Sequence, residues 1–177
     1  MNMIIEKEIG GIERMLDKKI WDLRGNNPIL ITDDQAESWL VYKKVDDAGE
    51  QILARHITTH KSIEISKQGI DCMDVTAVAC NKNIIIIWNQ LVDGVYQLFE
   101  GDISGSEPRQ ISWNFSSVIN PRVAVDTNGI LSLVYQKSDQ YGYFNIYMQR
   151  KINNTWSEPQ LISDLPGNNW CPDIRRA

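Results

Sequence analysis

Short apolar runs separated by turn-forming residues predict β-strands along most of this chain. The clearest series lies between Asn120 and Ser163. Arg122–Val125 is an apolar run that ends at Asp126-Thr127-Asn128-Gly129, a turn sequence in which Asn and Gly tolerate a positive φ. Three more strands are predicted after this turn, at Ile130–Gln136, Phe144–Lys151 and Trp156–Ile162. One such four-stranded sheet cannot bury its own faces, so a recurrence of the pattern is expected.

The pattern recurs twice upstream. The second strand of each copy ends in an aromatic residue, and these three residues, Tyr42, Trp88 and Tyr135, are 46 and 47 residues apart. The fourth strand recurs almost letter for letter, as SEPRQIS at 106–112 and SEPQLIS at 157–163. Three four-stranded units at this period predict an all-β fold, a β-propeller built of four-stranded antiparallel blades.

The repeat predicts one domain, or part of one, over residues 1–177, with full blades at 27–71, 72–119 and 120–169. Residues 1–26 are predicted to form the outer strands of a partial blade, because Ile20–Asn27 matches Ile162–Asn169 at six of eight positions. The loose spacing of apolar residues after Ile12 would otherwise suggest a helix. Residues 170–177 are predicted to begin a further blade, with Pro172 in the place of Pro121.

The charge and hydropathy of the chain exclude some partners. A net charge of −5 argues against a nucleic-acid binder, which needs a basic face, and against attachment to anionic lipid. No apolar stretch is long enough for a spanning helix. The first residues lack the apolar core of a secretory signal, so a cytoplasmic location is expected if this N-terminus is the native one, and the location is otherwise open.

Metal and cofactor sites are not expected. Cys72, Cys80 and Cys171 form no CxxC pair and are predicted to be reduced and mostly buried. His56 and His60 are four residues apart, a spacing that joins two ligands only on a helix, whereas the pattern places them on a strand end and loop. The acidic turns lack the alternating ligands of a calcium loop, and their aspartates are expected to bond their own backbone; these turns are Asp33-Asp34, Asp46-Asp47 and Asp126.

The third unit carries the series Pro121, Ala124, Asp126, Gly129, Tyr135 and Trp156-Ser157-Glu158-Pro159. This series resembles the repeats of sialidase-like, Asp-box-type β-propellers. It departs from the Asp-box, Ser-x-Asp-x-Gly-x-Thr-Trp, because Ala124 replaces the serine and Gly129 comes one residue late. Sialidase chemistry implies an arginine cluster and a tyrosine nucleophile assisted by a glutamate. Arg122 is the best inner-strand arginine, but the family's Arg-Ile-Pro motif does not follow, and no catalytic residue is carried over.

The sequence favours a non-catalytic recognition or scaffold module for a protein or glycan ligand. The alternative is part of a sialidase-like propeller glycoside hydrolase whose catalytic residues lie outside this chain. Tryptophans could stack on sugars or pack between blades, and packing is the expectation for most of Trp39, Trp88, Trp113, Trp156 and Trp170. The candidate ligand-binding residues are Arg122, Trp113, Trp170, Asp74 and Asp173.

Three blades are too few for a ring, since propellers have four to eight. Two explanations remain open from the sequence. Two copies could join head to tail and complete the ring, or the chain is a fragment of a longer propeller that supplies the missing blades.

Overall fold

The computed structural model describes residues 28–113, 115–163 and 166–175. Every regular element in these ranges is a β-strand, as predicted, and none of them contains a helix that could span a membrane. The strands predicted in residues 1–26 lie outside the described residues. The strands are, in chain order, β1 (Ile29–Thr32), β2 (Ser38–Asp46), β3 (Gly49–His56), β4 (Ser62–Glu64), β5 (Cys72–Cys80), β6 (Asn83–Val92), β7 (Val95–Asp102), β8 (Arg109–Gln110), β9 (Val118–Val125), β10 (Leu131–Ser138), β11 (Phe144–Ile152), β12 (Thr155–Trp156) and β13 (Gln160–Leu161).

The strands form three antiparallel sheets in chain order. Sheet I has the order β1-β2-β3-β4, and sheet II has the order β5-β6-β7-β8. Sheet III has the order β9-β10-β11, and both β12 and β13 pair with the outer side of β11. The prediction of a single fourth strand at Trp156–Ile162 is therefore wrong. It is interrupted at Ser157-Glu158-Pro159, where the proline has no N–H to donate to the ladder.

The start of β9 also differs from the prediction. The inner strand begins at Val118, two residues before the predicted blade boundary at 120. The register of β9 against β10 shifts between Val134 and Gln136, and Asn120 adopts a left-handed φ of 51°. Asparagine tolerates this conformation better than most residues, so a bulge forms here without glycine.

Adjacent sheets pack face to face around two hydrophobic cores. The core between sheets I and II contains Val41, Ile52, Ile86 and Trp88. The core between sheets II and III contains Ile87, Leu98, Leu133 and Tyr135. Successive residues of β6 thus enter opposite cores, because side chains alternate across a strand. The structure has the blade-like sheets of a propeller, but the described residues do not form a closed ring.

A serine hydroxyl binds the backbone of the third strand at the outer side of each sheet. Ser66 Oγ accepts the backbone N–H of Ile52 at 2.8 Å, and Ser112 Oγ accepts that of Leu98 at 2.8 Å. Ser163 Oγ accepts the N–H of Ile146 at 3.0 Å. Each hydroxyl accepts a hydrogen bond from a backbone N–H of the third strand, at the point where the fourth strand ends. This role explains why Ile-Ser recurs at the end of each unit.

A second hydrogen bond joins each sheet to the chain that follows it. The second strands continue for three or four residues beyond the aromatic residues Tyr42, Trp88 and Tyr135, which were predicted to end them. The residue directly after each aromatic residue is buried and polar in all three sheets: Lys43, Asn89 and Gln136. Each side chain donates to a backbone carbonyl at the start of the next inner segment. The acceptors are Cys72 O at 2.7 Å, Val118 O at 3.5 Å and Asn169 O at 2.8 Å, respectively.

Sheets II and III also share an ionic network around Glu100. Its carboxylate accepts from Lys151 Nζ at 2.6 Å and from Trp156 Nε1 at 2.7 Å, both on sheet III. Arg109 of β8 contacts the same carboxylate at 3.2 Å. The Glu100 and Lys151 side chains are each 9% exposed, so the pair is nearly buried.

The antiparallel order brings two kinds of connection to the same end of the sheets. The hairpins β2–β3, β6–β7 and β10–β11 lie at this end, and so do the segments that lead from one sheet to the next. We call it the crossover end. Each inner strand begins at the crossover end and runs away from it.

Candidate functional site

The first halves of the inner strands line a cleft of about 310 Å³ near the crossover end. Most of the described lining residues belong to β5, with one each from β1, β2 and β9. Two predicted site residues, Asp74 and Arg122, both line it. The described lining residues are Ile29, Lys43, Cys72, Met73, Asp74, Val75, Thr76, Ala77 and Arg122.

Arg122 brings an uncompensated positive charge to the cleft. Its Nη1 donates to the carbonyl oxygen of Pro121 at 2.7 Å. No carboxylate in the described part of the chain lies within ion-pair distance of its guanidinium. Because a guanidinium has five N–H donors in a planar fork, most of them remain for a ligand.

Asp74 is held in place by its neighbours on both sides. Asn89 Oδ1 accepts the backbone N–H groups of Met73 and Asp74, at 3.2 and 2.8 Å. The Asp74 carboxylate accepts the backbone N–H of Asn120 through Oδ2 at 3.3 Å. Asp74 Oδ1 makes no hydrogen bond within the described chain and can therefore accept from a ligand hydroxyl.

The other cation in the cleft, Lys43, is already neutralised. Its Nζ lies 2.9 Å from Glu50 Oε1 and donates to Cys72 O at 2.7 Å. Glu50 Oε2 accepts the N–H of Cys72 at 2.8 Å, so the two members of the ion pair bind the backbone N–H and C=O groups of Cys72. Burial raises the pKa of the Cys72 thiol to about 12, which keeps it protonated and excludes it as a nucleophile near neutral pH.

The remaining predicted site residues lie outside the cleft. Trp113 is 74% exposed, and Trp170 is 55% exposed with its ring centroid 5.4 Å from that of Phe144. Asp173 Oδ2 accepts from Arg175 Nε at 3.0 Å on the surface. The expected packing role is therefore confirmed for Trp39 and Trp88 and is wrong for Trp113 and Trp170.

The side chains that the sequence excluded as ligands have structural partners. His56 Nε2 lies 2.9 Å from Glu37 Oε2, and its Nδ1 accepts the N–H of Thr59. Within the described residues there is no group of three side chains that could hold a metal. As predicted, the turn aspartates bond their own backbone through Oδ1; these are Asp33, Asp46 and Asp126.

The cysteine prediction is only partly right. All three cysteines are free thiols, but only Cys72 is buried, whereas Cys80 is half-buried and Cys171 is exposed. Cys171 lies in the segment after sheet III, where it precedes Pro172 with a left-handed φ of 55°.

Sequence reasoning missed the buried polar residues that support the cleft. Lys43 and Asn89 hold the start of β5, yet each follows an aromatic residue at the end of an apolar strand and was not singled out. The available signal was the recurrence of a polar residue directly after Tyr42, Trp88 and Tyr135. A polar residue that recurs at this position and is buried is expected to have a hydrogen-bond partner.

No protein-family profile and no curated protein matches the sequence. The chain is similar in structure to an ulvan lyase, a polysaccharide lyase solved with a bound GlcA-containing saccharide, with a TM-score of 0.58 and 11% identity over 81% of this chain. It spans only 45% of that lyase. A thermostable family-43 glycoside hydrolase matches with a TM-score of 0.54 and 11% identity, over 83% of this chain and 62% of the hydrolase.

An endo-1,4-beta-xylanase from Bacteroides thetaiotaomicron is also similar, with a TM-score of 0.53 and 10% identity over 84% of this chain and 62% of the xylanase. At these identities the comparisons establish the class of fold alone. They place the chain among all-β proteins with propeller-like sheets, in agreement with the resemblance that the sequence suggested at the level of the fold.

Proposed function

We propose that this chain is a non-catalytic recognition module that binds an acidic saccharide in the cleft between its inner strands. The observation that carries the proposal is Arg122, a half-buried guanidinium without a carboxylate partner in the described chain, which lines the same cleft as Asp74. A uronate or sulfate group would pair with the guanidinium through two parallel hydrogen bonds. A neighbouring sugar hydroxyl would donate to Asp74 Oδ1.

The structural neighbours support a saccharide as the ligand class. All three act on polysaccharides or glycosides according to their descriptions, and the lyase was solved with an acidic saccharide. The cleft volume of about 310 Å³ is at the small end of ligand sites, which suits one sugar ring.

The cleft favours binding over hydrolysis. Glycoside hydrolysis generally needs two carboxylates that flank the scissile bond. Asp74 is the one carboxylate among the described residues that line the cleft. With the Cys72 thiol protonated, the described lining offers no activated nucleophile.

The test is a calorimetric titration with glucuronate-containing disaccharides, which measures their affinity for the protein. The Arg122→Ala variant is expected to lose at least about tenfold in affinity, because a charge-assisted pair contributes about 1.5–3 kcal/mol. The Arg122→Lys variant should retain only part of the affinity, because it keeps the positive charge but its ammonium group cannot form two parallel hydrogen bonds.

Arg150→Ala is the matched control for that titration. Arg150 is also half-exposed, but it pairs with Asp126 at 3.5 Å near the end of the sheets opposite the crossover end. Equal affinity of the Arg122→Ala variant and the wild-type protein would refute the proposal. Capture of a protein ligand by the wild-type chain but not by Arg122→Ala, with no saccharide binding, would replace the glycan by a protein partner.

The second candidate is part of a propeller glycoside hydrolase with its catalytic residues outside this chain. The similarity to the family-43 hydrolase, of which the chain spans 62%, favours it. Turnover of a chromogenic glycoside series by a ring completed with the missing blades, but not by the 177-residue chain alone, would support this candidate. Binding without turnover by the completed ring would support the recognition module.

A further inference from the structure

Exposed aromatic residues are concentrated at one corner of the molecule. Their exposed fractions range from 49% for Tyr143 to 105% for Phe115. All those in the described residues lie on three segments at the crossover end of sheet III. They are Trp113, Phe115, Tyr141, Tyr143 and Trp170.

The three segments are neighbours in space. Segment 111–117 leads into sheet III and meets the β10–β11 hairpin where Ser138 N donates to Ser117 O at 3.2 Å. Segment 166–170 leaves sheet III and meets the same hairpin where Asn169 N donates to Phe144 O at 2.8 Å. The ring of Trp170 leans on Phe144 at this junction.

The fold itself does not require aromatic residues at these positions. The corresponding hairpin of sheet I is Asp-Asp-Ala-Gly at 46–49, and that of sheet II is Val-Asp-Gly-Val at 92–95. The segment between sheets I and II, 65–71, is also free of aromatic residues. A cluster of exposed aromatic side chains rimmed by polar residues marks an interaction surface.

We propose that these residues form an aromatic platform that stacks on successive pyranose rings of a saccharide extending from the cleft. The inference rests on the proposed function, because the cleft is lined by residues near the start of β1 and β5, which begin at the same crossover end. It adds a longer ligand and new contact residues. One face of a pyranose presents C–H groups that pack on an aromatic ring, while its hydroxyls remain available for hydrogen bonds.

The composition of the segments favours a saccharide over a protein. Their sequences, ISWNFSS at 111–117, DQYGY at 139–143 and PGNNW at 166–170, contain no Lys or Arg and many hydroxyls and amides. The single Asp139 is used within the turn, where Oδ1 accepts the N–H groups of Tyr141 and Tyr143 at 2.8 and 3.0 Å. Protein interfaces are instead enriched in Arg and Met besides aromatic residues.

The experiment compares saccharide length on wild-type protein and variants. The probes are linear xylo-, cello- and glucuronate-containing oligosaccharides of two and six units, titrated by calorimetry and by acrylamide quenching of tryptophan fluorescence. At least one hexasaccharide is expected to bind about tenfold more tightly than its disaccharide and to protect Trp113 and Trp170 from quenching.

The double variant Trp113→Ala/Tyr141→Ala should remove that tenfold advantage and leave disaccharide binding unchanged. Ile152→Ala is the control, because Ile152 is also 49% exposed but lies at the opposite end of the sheets. A hexasaccharide advantage that survives in the double variant, or no protection by any hexasaccharide, would overturn the platform. A change in self-association instead of saccharide affinity would assign the surface to contact between copies and also overturn it.

The outcomes separate this inference from the proposed function. If Arg122→Ala loses disaccharide binding and the aromatic variants have no effect, the cleft is supported as the binding site and the platform is rejected. If the aromatic variants lose the length advantage and Arg122→Ala has no effect, the platform is supported and the cleft is rejected.

Discussion

Two tryptophans of this chain have opposite environments and should respond differently to the same substitution. Trp88 is fully buried between sheets I and II, with its ring stacked on Phe99 at 5.9 Å. Trp88→Ala is expected to lower the free energy of unfolding by about 3–5 kcal/mol, because the side chain leaves a cavity in a packed core. Trp113→Ala, on an exposed loop, should change it by less than about 0.5 kcal/mol. Urea titration measures both, and a loss below about 1 kcal/mol for Trp88→Ala would contradict the burial.

Cys72 makes the stability of the protein sensitive to alkaline pH. Burial raises the pKa of its thiol from the ordinary value of 9.0 to about 12. Above pH 9 the unfolded chain releases this proton while the folded chain keeps it, so the free energy of unfolding should fall as the pH rises from about 9 towards 12. Urea titrations at pH 8 and pH 10.5 test this prediction. The Cys72→Ala variant should show a shallower fall, and an identical fall would assign the effect to other groups such as Tyr135.

The burial of Trp88 could be predicted from the sequence, whereas the presence of Asp74 and Arg122 in the lining of one cleft could not. Trp88 ends the most apolar run of the sequence, at the position that Tyr42 and Tyr135 occupy in the other two repeats. The cleft depends on how β5 and β9 approach each other, and that approach is fixed by Asn120 in a left-handed conformation. A sequence pattern reports which face of a strand is buried, but not the distance between two sheets.

At the scale of the elements, the Glu100 network ties the third strands of sheets II and III together. Glu100→Gln is expected to cost about 3–5 kcal/mol, because it leaves the nearly buried Lys151 without its charged partner. The double variant Glu100→Gln/Lys151→Met should be less destabilised than the sum of the two single variants. Unfolding free energies of all four proteins complete the cycle. Additive losses would show that the two side chains do not interact.

Strand existence was predictable in this chain, but strand ends were not. The apolar runs and the Asp-Gly and Asn-Gly turns located the strands of the three sheets. The fourth strand of sheet III was predicted as one segment, but it forms two short strands, Thr155–Trp156 and Gln160–Leu161. The interruption contains Pro159, which has no N–H to donate, and Ser157, whose hydroxyl accepts the backbone N–H of Arg150 at 3.1 Å.

At the scale of the whole molecule, three sheets are too few for a closed ring, and we retain two proposals for how the ring is completed. Two copies joined head to tail would give twice the mass of 20.3 kDa, whereas a part of a longer propeller would remain at that mass in isolation. Light scattering on the 177-residue chain distinguishes them. A dimer that dissociates when residues 170–177 are deleted would support the head-to-tail arrangement. A stable, soluble monomer would rule it out.

The hydrogen bonds from Lys43, Asn89 and Gln136 all point in one direction, from each sheet to the segment that begins the next. In the described residues the two hydrophobic cores also lie between sheets that follow one another in sequence, so we expect coupling along the molecule to be that of a one-dimensional chain of cooperative units. A substitution at Asn89 should loosen the junction of sheets II and III first and affect sheet I only through sheet II. Amide hydrogen exchange would then report a graded protection along the sequence, with folding free to begin at any junction and spread from there.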